Sequence, residues 1–144
     1  MIRIIQPSTV HEMEQYYDLR WKTLREPWGQ VRGTEKDNME DSSIHFMALE
    51  GEIPLGVCRL QFNDESIAQV RFMGVSALAR EKGVGRKLLE EAEKTAAAQG
   101  RKKMILQARD YAVPFYEKCN YRIVEKTFLL WDSIQHYLME KELN

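Results

Sequence analysis

The feature that most constrains the fold is a segment in which a strand, a glycine-containing turn and a long helix follow one another. Residues 70–75 read Val-Arg-Phe-Met-Gly-Val, a run typical of a β-strand. Gly83 and Gly85 follow a short loop, and a helix is predicted from Val84 to Gln99. The apolar positions of that helix recur at the period of a helix that lies on a sheet: Val84, Leu88, Leu89, Ala92 and Ala96. The segment therefore predicts an α/β layered domain.

The glycine turn also predicts a site for an anion. Two glycines let the backbone turn sharply and expose its N–H groups, and the helix that begins there adds a partial positive charge at its N-terminus. Together the amides of residues 82–86 form a cradle suited to phosphate. Arg86 and Lys87 either add positive charge beside that phosphate or are solvated helix residues.

Strands and helices alternate along the rest of the chain, without an internal repeat, a low-complexity stretch or a linker. Ser8 is the predicted N-cap of a helix from Val10 to Arg25. The residues at apolar helical spacing there are Val10, Met13, Tyr17, Trp21 and Leu24. A short helix over Val113–Cys119 is predicted to end with Asn120 in the left-handed conformation. The predicted strands are Ile2–Gln6, Ile44–Glu50, Leu55–Phe62, one ending at Val75, Lys103–Ala108, Tyr121–Trp131 and Gln135–Leu143.

Size and charge limit the class of protein. The chain has 144 residues, the usual size of a single domain, and we expect one domain over residues 1–144. A net charge of −1 gives no general attraction to nucleic acid or to acidic membranes. No apolar run approaches the roughly 20 residues of a membrane span, and the first residues are too short for a secretory signal. Cys58 and Cys119 are predicted to be reduced, buried thiols, which indicates a cytoplasmic protein.

A second motif narrows the interpretation of the first. A Walker A loop is excluded because no Gly-Lys-Ser/Thr follows the glycines, and Leu88 stands where a Rossmann fingerprint has its third glycine. Residues 112–121, after the next strand, read Ala-Val-Pro-Phe-Tyr-Glu-Lys-Cys-Asn-Tyr. With these two segments the sequence resembles the GNAT superfamily of acyl-CoA-dependent N-acyltransferases.

The resemblance is carried by particular residues. The acyl-CoA signature Arg/Gln-x-x-Gly-x-Gly/Ala is matched by Arg80, Gly83 and Gly85. The later pattern Ala-x-x-Phe-Tyr-x-Lys-x-Gly-Phe is matched by Ala112, Phe115, Tyr116 and Lys118, with Asn120 and Tyr121 as departures. Arg109 stands where many members have asparagine. The closing residues 134–139 resemble those of the small ElaA-like bacterial branch.

The resemblance implies a fold and a cosubstrate. The fold would be a single GNAT-like domain, with a mixed, largely antiparallel twisted sheet of six to seven strands flanked by helices. The fourth and fifth strands would splay into a V, and the pantetheine arm of acetyl-CoA would lie along the fourth. The implied acetyl-CoA contacts are Met73, Gly74, Val75, Arg80, Glu81, Lys82, Gly83, Val84, Gly85, Arg86, Lys87, Arg109 and Phe115. No metal is expected.

The resemblance also implies a reaction. An acetyl group would pass from acetyl-CoA to a primary amine of a small molecule or a protein, by direct attack in a ternary complex. Tyr116 would be the general acid, and the N–H near Val75 would polarise the carbonyl. Gln69 stands where some relatives place a glutamate base, which leaves Glu65, Asp110 and His136 as alternatives. A module that binds acyl-CoA and senses it without turnover is the competing interpretation.

Strand alternation suggests where the acceptor binds. Arg59 and Gln61 are predicted to share one face of their strand, as are Gln69, Arg71, Met73 and Val75 of the next. Arg59 or Arg71 is expected to recognise a carboxylate or phosphate of the acceptor. The irregular segment 28–39, with Trp28, would form the other wall, and His136 is a further candidate for the acceptor pocket. The expected partner is an amine acceptor rather than nucleic acid or membrane, and the expected state is a monomer or homodimer.

Overall fold

The computed structural model describes all residues, Met1–Asn144, and its element order is the predicted one. Three helices are present: α1 (Val10–Leu24), α2 (Val84–Ala98) and α3 (Val113–Lys118). The seven strands are β1 (Ile2–Ile5), β2 (Ile44–Glu50), β3 (Ile53–Phe62), β4 (Ile67–Val75), β5 (Lys103–Arg109), β6 (Arg122–Leu130) and β7 (Ile134–Glu142). The chain forms two compact units. The first is Met1–Gln61 with Val70–Lys94, and the second is Phe62–Gln69 with Thr95–Asn144.

The strands form one mixed sheet in the order β1-β2-β3-β4-β5-β7-β6. The pairs β1–β2, β2–β3, β5–β7 and β6–β7 are antiparallel, whereas β4 and β5 are parallel. The parallel register joins Ile67 to Lys103 and Gln69 to Ile105, and it extends no further along either strand. The end of β4 therefore makes no ladder with β5. This pairing confirms the predicted mixed, largely antiparallel sheet, which has seven strands where six to seven were predicted. β4 and β5 pair only where they begin.

Two details of α1 differ from the prediction. The N-cap is Thr9, not Ser8, because Glu12 lies three residues after Thr9 and completes a capping box. The Thr9 hydroxyl accepts the Glu12 N–H at 3.1 Å, and the Glu12 carboxylate accepts the N–H groups of Thr9 and Ser8. The buried face of α1 consists of Tyr16, Arg20 and Leu24, while Val10, predicted on the apolar stripe, is exposed.

Both long helices approach a strand glycine in the first unit. The predicted apolar stripe of α2 is confirmed, since Val84, Leu88, Leu89, Ala92 and Ala96 are all buried. A Cβ added at Gly56 on β3 would lie 2.7 Å from a Val84 methyl group and 2.9 Å from one of Leu88. A Cβ added at Gly74 on β4 would overlap the Thr23 hydroxyl of α1. Glycine at these positions lets the helices lie directly on the strand backbone.

Replacing Gly74 with alanine is expected to lower the free energy of unfolding by about 1–3 kcal/mol, because the new methyl group overpacks the contact with α1. The Thr23 hydroxyl cannot easily move away, since it donates to the Leu19 carbonyl at 2.8 Å. Urea unfolding followed by circular dichroism measures the loss. The double variant Thr23→Ala/Gly74→Ala should recover part of it. An unchanged urea midpoint for Gly74→Ala would show that the contact between β4 and α1 at Gly74 has room for a methyl group.

The second unit contains α3 and the β6–β7 hairpin. Asn120 has φ +73°, which confirms the left-handed residue predicted after α3. Tyr116, Tyr121 and Met139 are buried in this unit. Cys58 in the first unit and Cys119 in the second are both buried and neither forms a disulfide, as predicted.

None of the helices has the length and apolar character needed to cross a membrane.

Candidate active site

The glycine turn before α2 has the strained backbone that glycine accommodates. Gly83 has φ +72°, in the left-handed region, and a Cβ placed there would meet no atom within 4 Å. Glu81, two residues earlier, also has a positive φ of 70°. The Lys82 N–H donates to the Ala79 carbonyl at 3.2 Å, which closes the turn. The turn therefore leaves open space directly in front of the helix.

The N-terminus of α2, which directly follows Gly83, has backbone donors without an intrahelical acceptor. The Lys87 N–H donates to the Gly83 carbonyl at 3.0 Å, so the N–H groups of Gly83, Val84 and Gly85 precede the intrahelical bonds. Four exposed cationic residues lie within three positions of them in the sequence: Arg80, Lys82, Arg86 and Lys87. Open backbone amides, a helix dipole and nearby cations fit a diphosphate group.

One of these cations is already paired. Lys82 Nζ lies 2.9 Å from a carboxylate oxygen of Glu50, and this ion pair holds the pKa of Glu50 below its usual value. Both side chains are exposed, so the pair is weak and can open when an anion enters the turn.

The strand that leads to the turn contains a break in its pleat. Phe72 on β4 has φ +55°, which a non-glycine residue in a regular strand does not adopt. The predicted alternation, with Gln69 and Arg71 on the face of Met73 and Val75, is therefore interrupted at Phe72. A left-handed residue in a strand redirects the residues around it, and sequence alternation alone carries no sign of it.

A group of charges that includes two fully buried arginines, which we call the arginine cluster, lies beside this break. It consists of Arg20, Arg59, Arg71, Asp37 and Glu40. The Arg59 guanidinium is fully buried and donates to Asp37 at 2.6 and 3.0 Å and to Glu40 at 2.7 Å. Arg59 also donates to Gln61 Oε1 at 2.6 Å, which confirms that these two residues share a face of β3.

Arg20 joins the same cluster from α1. Its guanidinium, also fully buried, donates to Glu40 at 2.9 Å, to the Glu35 carbonyl at 3.0 Å and to the Tyr16 hydroxyl at 2.7 Å. Burial raises the pKa of Tyr16 well above its usual value, so its hydroxyl stays neutral. Its hydroxyl also lies 2.7 Å from Nδ1 of His45, a residue whose pKa burial lowers. Side chains of α1, β2 and the preceding loop are thus joined through Arg20.

All three arginines of the cluster lie close to the Phe72 ring. The guanidinium carbons of Arg20, Arg59 and Arg71 lie 4.4, 4.8 and 5.1 Å from the ring centroid, within cation–π range. Hydrogen bonds from Arg59 hold the pKa of Asp37 down at about 2. Burial alone would raise the pKa of Glu40, but the charge of Arg20 keeps it below the usual value. Both carboxyls are therefore ionised at neutral pH.

Among the residues proposed for the acceptor, Arg59 and Arg71 differ in exposure. Arg59 is enclosed by Asp37, Glu40 and Gln61, whereas the Arg71 side chain is 43% exposed and meets Asp37 at 3.3 Å. Trp28 ends a 3-10 turn, Glu26–Trp28, and is half-buried. The acceptor contact predicted for these residues stays a prediction, and Arg71 is the one of the two arginines that a ligand can reach.

In the second unit, the candidate acid Tyr116 lies on α3. It is buried, and its ring meets those of Phe115 and Tyr121 edge-on, with centroids 5.0 and 6.0 Å away. The Tyr116 carbonyl accepts the N–H groups of Cys119 and Tyr121, both at 3.0 Å. Aromatic packing and the tight end of α3 therefore fix the position of the phenol ring.

Arg109 and His136 face each other across the β5–β7 register. Arg109 donates to the Tyr111 hydroxyl at 3.0 Å, and its guanidinium lies 5.8 Å from the Trp131 ring. His136 is buried and stacks on Phe128 with centroids 4.2 Å apart, and its Nδ1 lies 3.1 Å from the Ile134 carbonyl. These contacts describe a histidine held in place by its neighbours.

The remaining candidate bases, Glu65 and Asp110, are at the surface or already hydrogen-bonded, and so is Gln69, which stands where some relatives have a glutamate. Gln69 Oε1 accepts from Asn63 at 2.9 Å, and Asp110 Oδ1 accepts the Tyr111 N–H at 2.7 Å. Glu65 is exposed in its turn. No group of three or more His, Cys, Asp or Glu side chains is arranged to hold a metal ion.

Each unit thus collects its own candidates. The first holds the glycine turn, residues 73–75, Trp28, Arg59 and Arg71, and the second holds Tyr116, Phe115, Arg109 and His136. Sequence reasoning missed the acidic members of the arginine cluster, Asp37 and Glu40. The only sequence signal was an arginine, Arg20, at helical spacing from Tyr16 and Leu24, a pattern that implies a buried partner.

Comparisons with known proteins agree on one family. A model of the acetyltransferase (GNAT) family matches residues 13–121. The uncharacterised N-acetyltransferase YjcF of Bacillus subtilis strain 168 is 34% identical over 108 residues, which span 75% of this chain and 76% of that protein.

Solved structures share the fold. A candidate N-acetyltransferase from Lactobacillus plantarum superposes with a TM-score of 0.86 at 24% identity, covering 99% of each chain. A GNAT family acetyltransferase from Elizabethkingia anophelis, solved with acetyl-CoA bound, has a TM-score of 0.77 at 16% identity and covers 99% of this chain and 98% of its own. The likeness therefore extends over the whole chain.

Proposed function

Because the chain belongs to the GNAT family and is an acyl-CoA-dependent N-acetyltransferase, we propose that its acceptor is a primary amine of a small molecule or protein, which attacks acetyl-CoA directly in a ternary complex. The observation that supports acetyl-CoA as the donor in this reaction is the turn at Gly83, where the amides of Gly83, Val84 and Gly85 precede the first bond of α2. We place this reaction in the cytoplasm, where the reduced state of Cys58 and Cys119 is maintained.

In this proposal acetyl-CoA binds along the first unit. The amides of residues 83–85 receive the pyrophosphate, and Arg80, Lys82, Arg86 and Lys87 supply positive charge around it. The backbone of Met73, Gly74 and Val75, which makes no ladder with β5, pairs with the pantetheine arm. Acetyl-CoA supplies an acetyl group activated as a thioester.

The acceptor amine can attack only as the neutral form, so it must first lose the extra proton that it carries at pH 7. A free lysine side chain costs roughly 4–5 kcal/mol to neutralise at pH 7, whereas an α-amine costs about 1 kcal/mol. The neutral nitrogen attacks the thioester carbonyl, the C–N bond forms, and the C–S bond breaks as the thiolate leaves. Tyr116 gives its phenolic proton to that thiolate. The N–H near Val75 stabilises the negative oxygen of the tetrahedral intermediate.

A base that removes the amine's proton would act through water. The Gln69 amide has no useful basicity, and Asp110 and Glu65 are exposed carboxylates. His136 is held against the Ile134 carbonyl, which suits a residue that shapes the pocket. The proton of the attacking amine therefore passes to solvent, either directly or by way of Asp110, Glu65 or His136.

Release of free thiol from acetyl-CoA tests the proposal. The purified protein is incubated with acetyl-CoA and a panel of amines and amine-bearing peptides, and thiol is measured with a chromogenic disulfide. We expect amine-dependent release, with N-acetylated product identified by mass spectrometry. Binding of acetyl-CoA without thiol release for any member of the panel would support a sensor in place of an enzyme.

Replacing Gly83 with aspartate is expected to raise the Kd for acetyl-CoA by about tenfold or more, because a carboxylate at the start of α2 repels the diphosphate. The matched control is Gly83→Asn, which has the same shape without the charge. Both residues tolerate φ +72° better than most side chains, and the Cβ has open space. Isothermal titration calorimetry compares the two variants. Equal affinities for Asp and Asn would remove the phosphate site from this turn.

A further inference from the structure

The arginine cluster carries more positive than negative charge. It contains three guanidinium groups, those of Arg20, Arg59 and Arg71, but two carboxylates, those of Asp37 and Glu40. Both carboxylates are committed to the two fully buried arginines. Glu40 accepts from Arg20 and Arg59, and Asp37 accepts three bonds from guanidinium groups, two from Arg59 and one from Arg71. One cation is therefore left without a full counter-charge.

The cluster is also short of hydrogen-bond acceptors. The Nε atoms of Arg20 and Arg59 are buried and have no hydrogen-bond partner. The Phe72 ring lies within 5 Å of both guanidinium carbons. A ring face attracts cations but accepts no strong hydrogen bond. The positive charge that remains is thus not neutralised from inside the protein.

Arg71 is where that charge reaches the surface. Its side chain is 43% exposed, and its one ion pair, to Asp37, is longer than the bonds from Arg59 to the same carboxylate. Burial and the neighbouring Arg59 lower the pKa of Arg71, as expected of a cation in a positive environment. Its free donors and its planar fork match a carboxylate. Arg71 precedes residues 73–75, where the proposed function places the pantetheine arm.

We propose that Arg71 binds a carboxylate carried by the acceptor, so that the preferred substrates are amines that also bear a carboxylate group. This inference rests on the proposed function for the identity of the reacting group. The buried arginines Arg20 and Arg59 do not touch the acceptor. Together with Asp37 and Phe72 they form the surroundings of Arg71, in which positive charge exceeds negative charge.

Matched amines that differ by one carboxylate test the inference: lysine and cadaverine, phenylalanine and phenethylamine, β-alanine and ethylamine. For the unmodified protein we expect that, in at least one pair, the carboxylated amine has a lower KM than the amine without the carboxylate. In Arg71→Ala that preference should fall by about 10- to 100-fold, the effect of losing a charge-assisted bond. Arg71→Lys should keep part of the preference. Arg3→Ala, which removes an exposed guanidinium from β1, is the matched control and should keep all of it.

Binding to the CoA-saturated protein separates this inference from the proposed function. Calorimetry with the same amine pairs requires no transfer, so it reports the carboxylate contact even if no acetylation occurs. Arg71-dependent affinity for the carboxylated members supports the inference whether or not thiol is released. Acetylation without any preference for a carboxylate, a preference unchanged in Arg71→Ala, or no binding of any carboxylated amine would each overturn it. An unaltered thermal unfolding midpoint of Arg71→Ala shows that the variant is folded.

Discussion

Tyr116→Phe is expected to lower the rate of acetyl transfer by about 100- to 10,000-fold, the contribution of a positioned general acid. The phenol proton is the part that the substitution removes, while the ring that packs against Phe115 and Tyr121 is kept. The thiolate must then leave without a proton, which slows cleavage of the C–S bond. Steady-state kinetics at saturating acetyl-CoA measures the effect on kcat.

The same variant should bind acetyl-CoA with unchanged affinity, because the proposed phosphate site lies in another part of the chain, at residues 83–85. Tyr137→Phe on β7 is a matched control that removes a phenol outside the proposed site, and it should keep full activity. Full activity of Tyr116→Phe would exclude Tyr116 as the acid.

Glu40→Ala is expected to lower the free energy of unfolding by about 3–5 kcal/mol, the usual cost of removing one partner of a buried ion pair. Glu40 is the carboxylate shared by Arg20 and Arg59, whose side chains have no exposed surface. Without it, two buried guanidinium groups lie close to the Phe72 ring with Asp37 as the remaining carboxylate of the cluster. Chemical unfolding followed by tryptophan fluorescence measures the loss.

Asp41→Ala, one residue away and exposed, is the matched control and should change stability by no more than about 0.5 kcal/mol. Glu40→Gln keeps the oxygen acceptor without the charge, and its free energy of unfolding should lie between those of Glu40→Ala and Asp41→Ala. If Glu40→Ala were as stable as Asp41→Ala, the ion pairs of Glu40 with Arg20 and Arg59 would contribute nothing to the stability of the fold.

Much of the fold could be predicted because its signals are local. The apolar period of Val84, Leu88 and Ala92 gives the buried face of α2, and the β2 and β4 ends fall where the turn residues place them. The turn at which we propose the phosphate site is equally local, since Gly83, with its positive φ, directly precedes the start of α2. The family resemblance, carried by the two short motifs, is confirmed over residues 13–121.

The arginine cluster could not be predicted, because its partners come from distant parts of the chain. Arg20 on α1, Glu40 in the loop and Arg59 on β3 are each unremarkable in sequence, and burial pairs them only in the folded chain. The left-handed Phe72 could not be predicted either, because its ring lies beside guanidinium groups that distant parts of the chain supply. Alternation along β4 therefore predicted Arg71 and Met73 on the same face, whereas Phe72, which lies between them, interrupts the pleat.

Titration calorimetry with acetyl-CoA and with pantetheine, which lacks the diphosphate, tests most directly the claim that the amides of residues 83–85 hold the cosubstrate. We expect saturable binding of acetyl-CoA with one site per chain, and binding of pantetheine weaker by at least about a hundredfold, equivalent to roughly 2.7 kcal/mol. Absence of acetyl-CoA binding by the folded protein, or equal affinity for the two compounds, would contradict the claim.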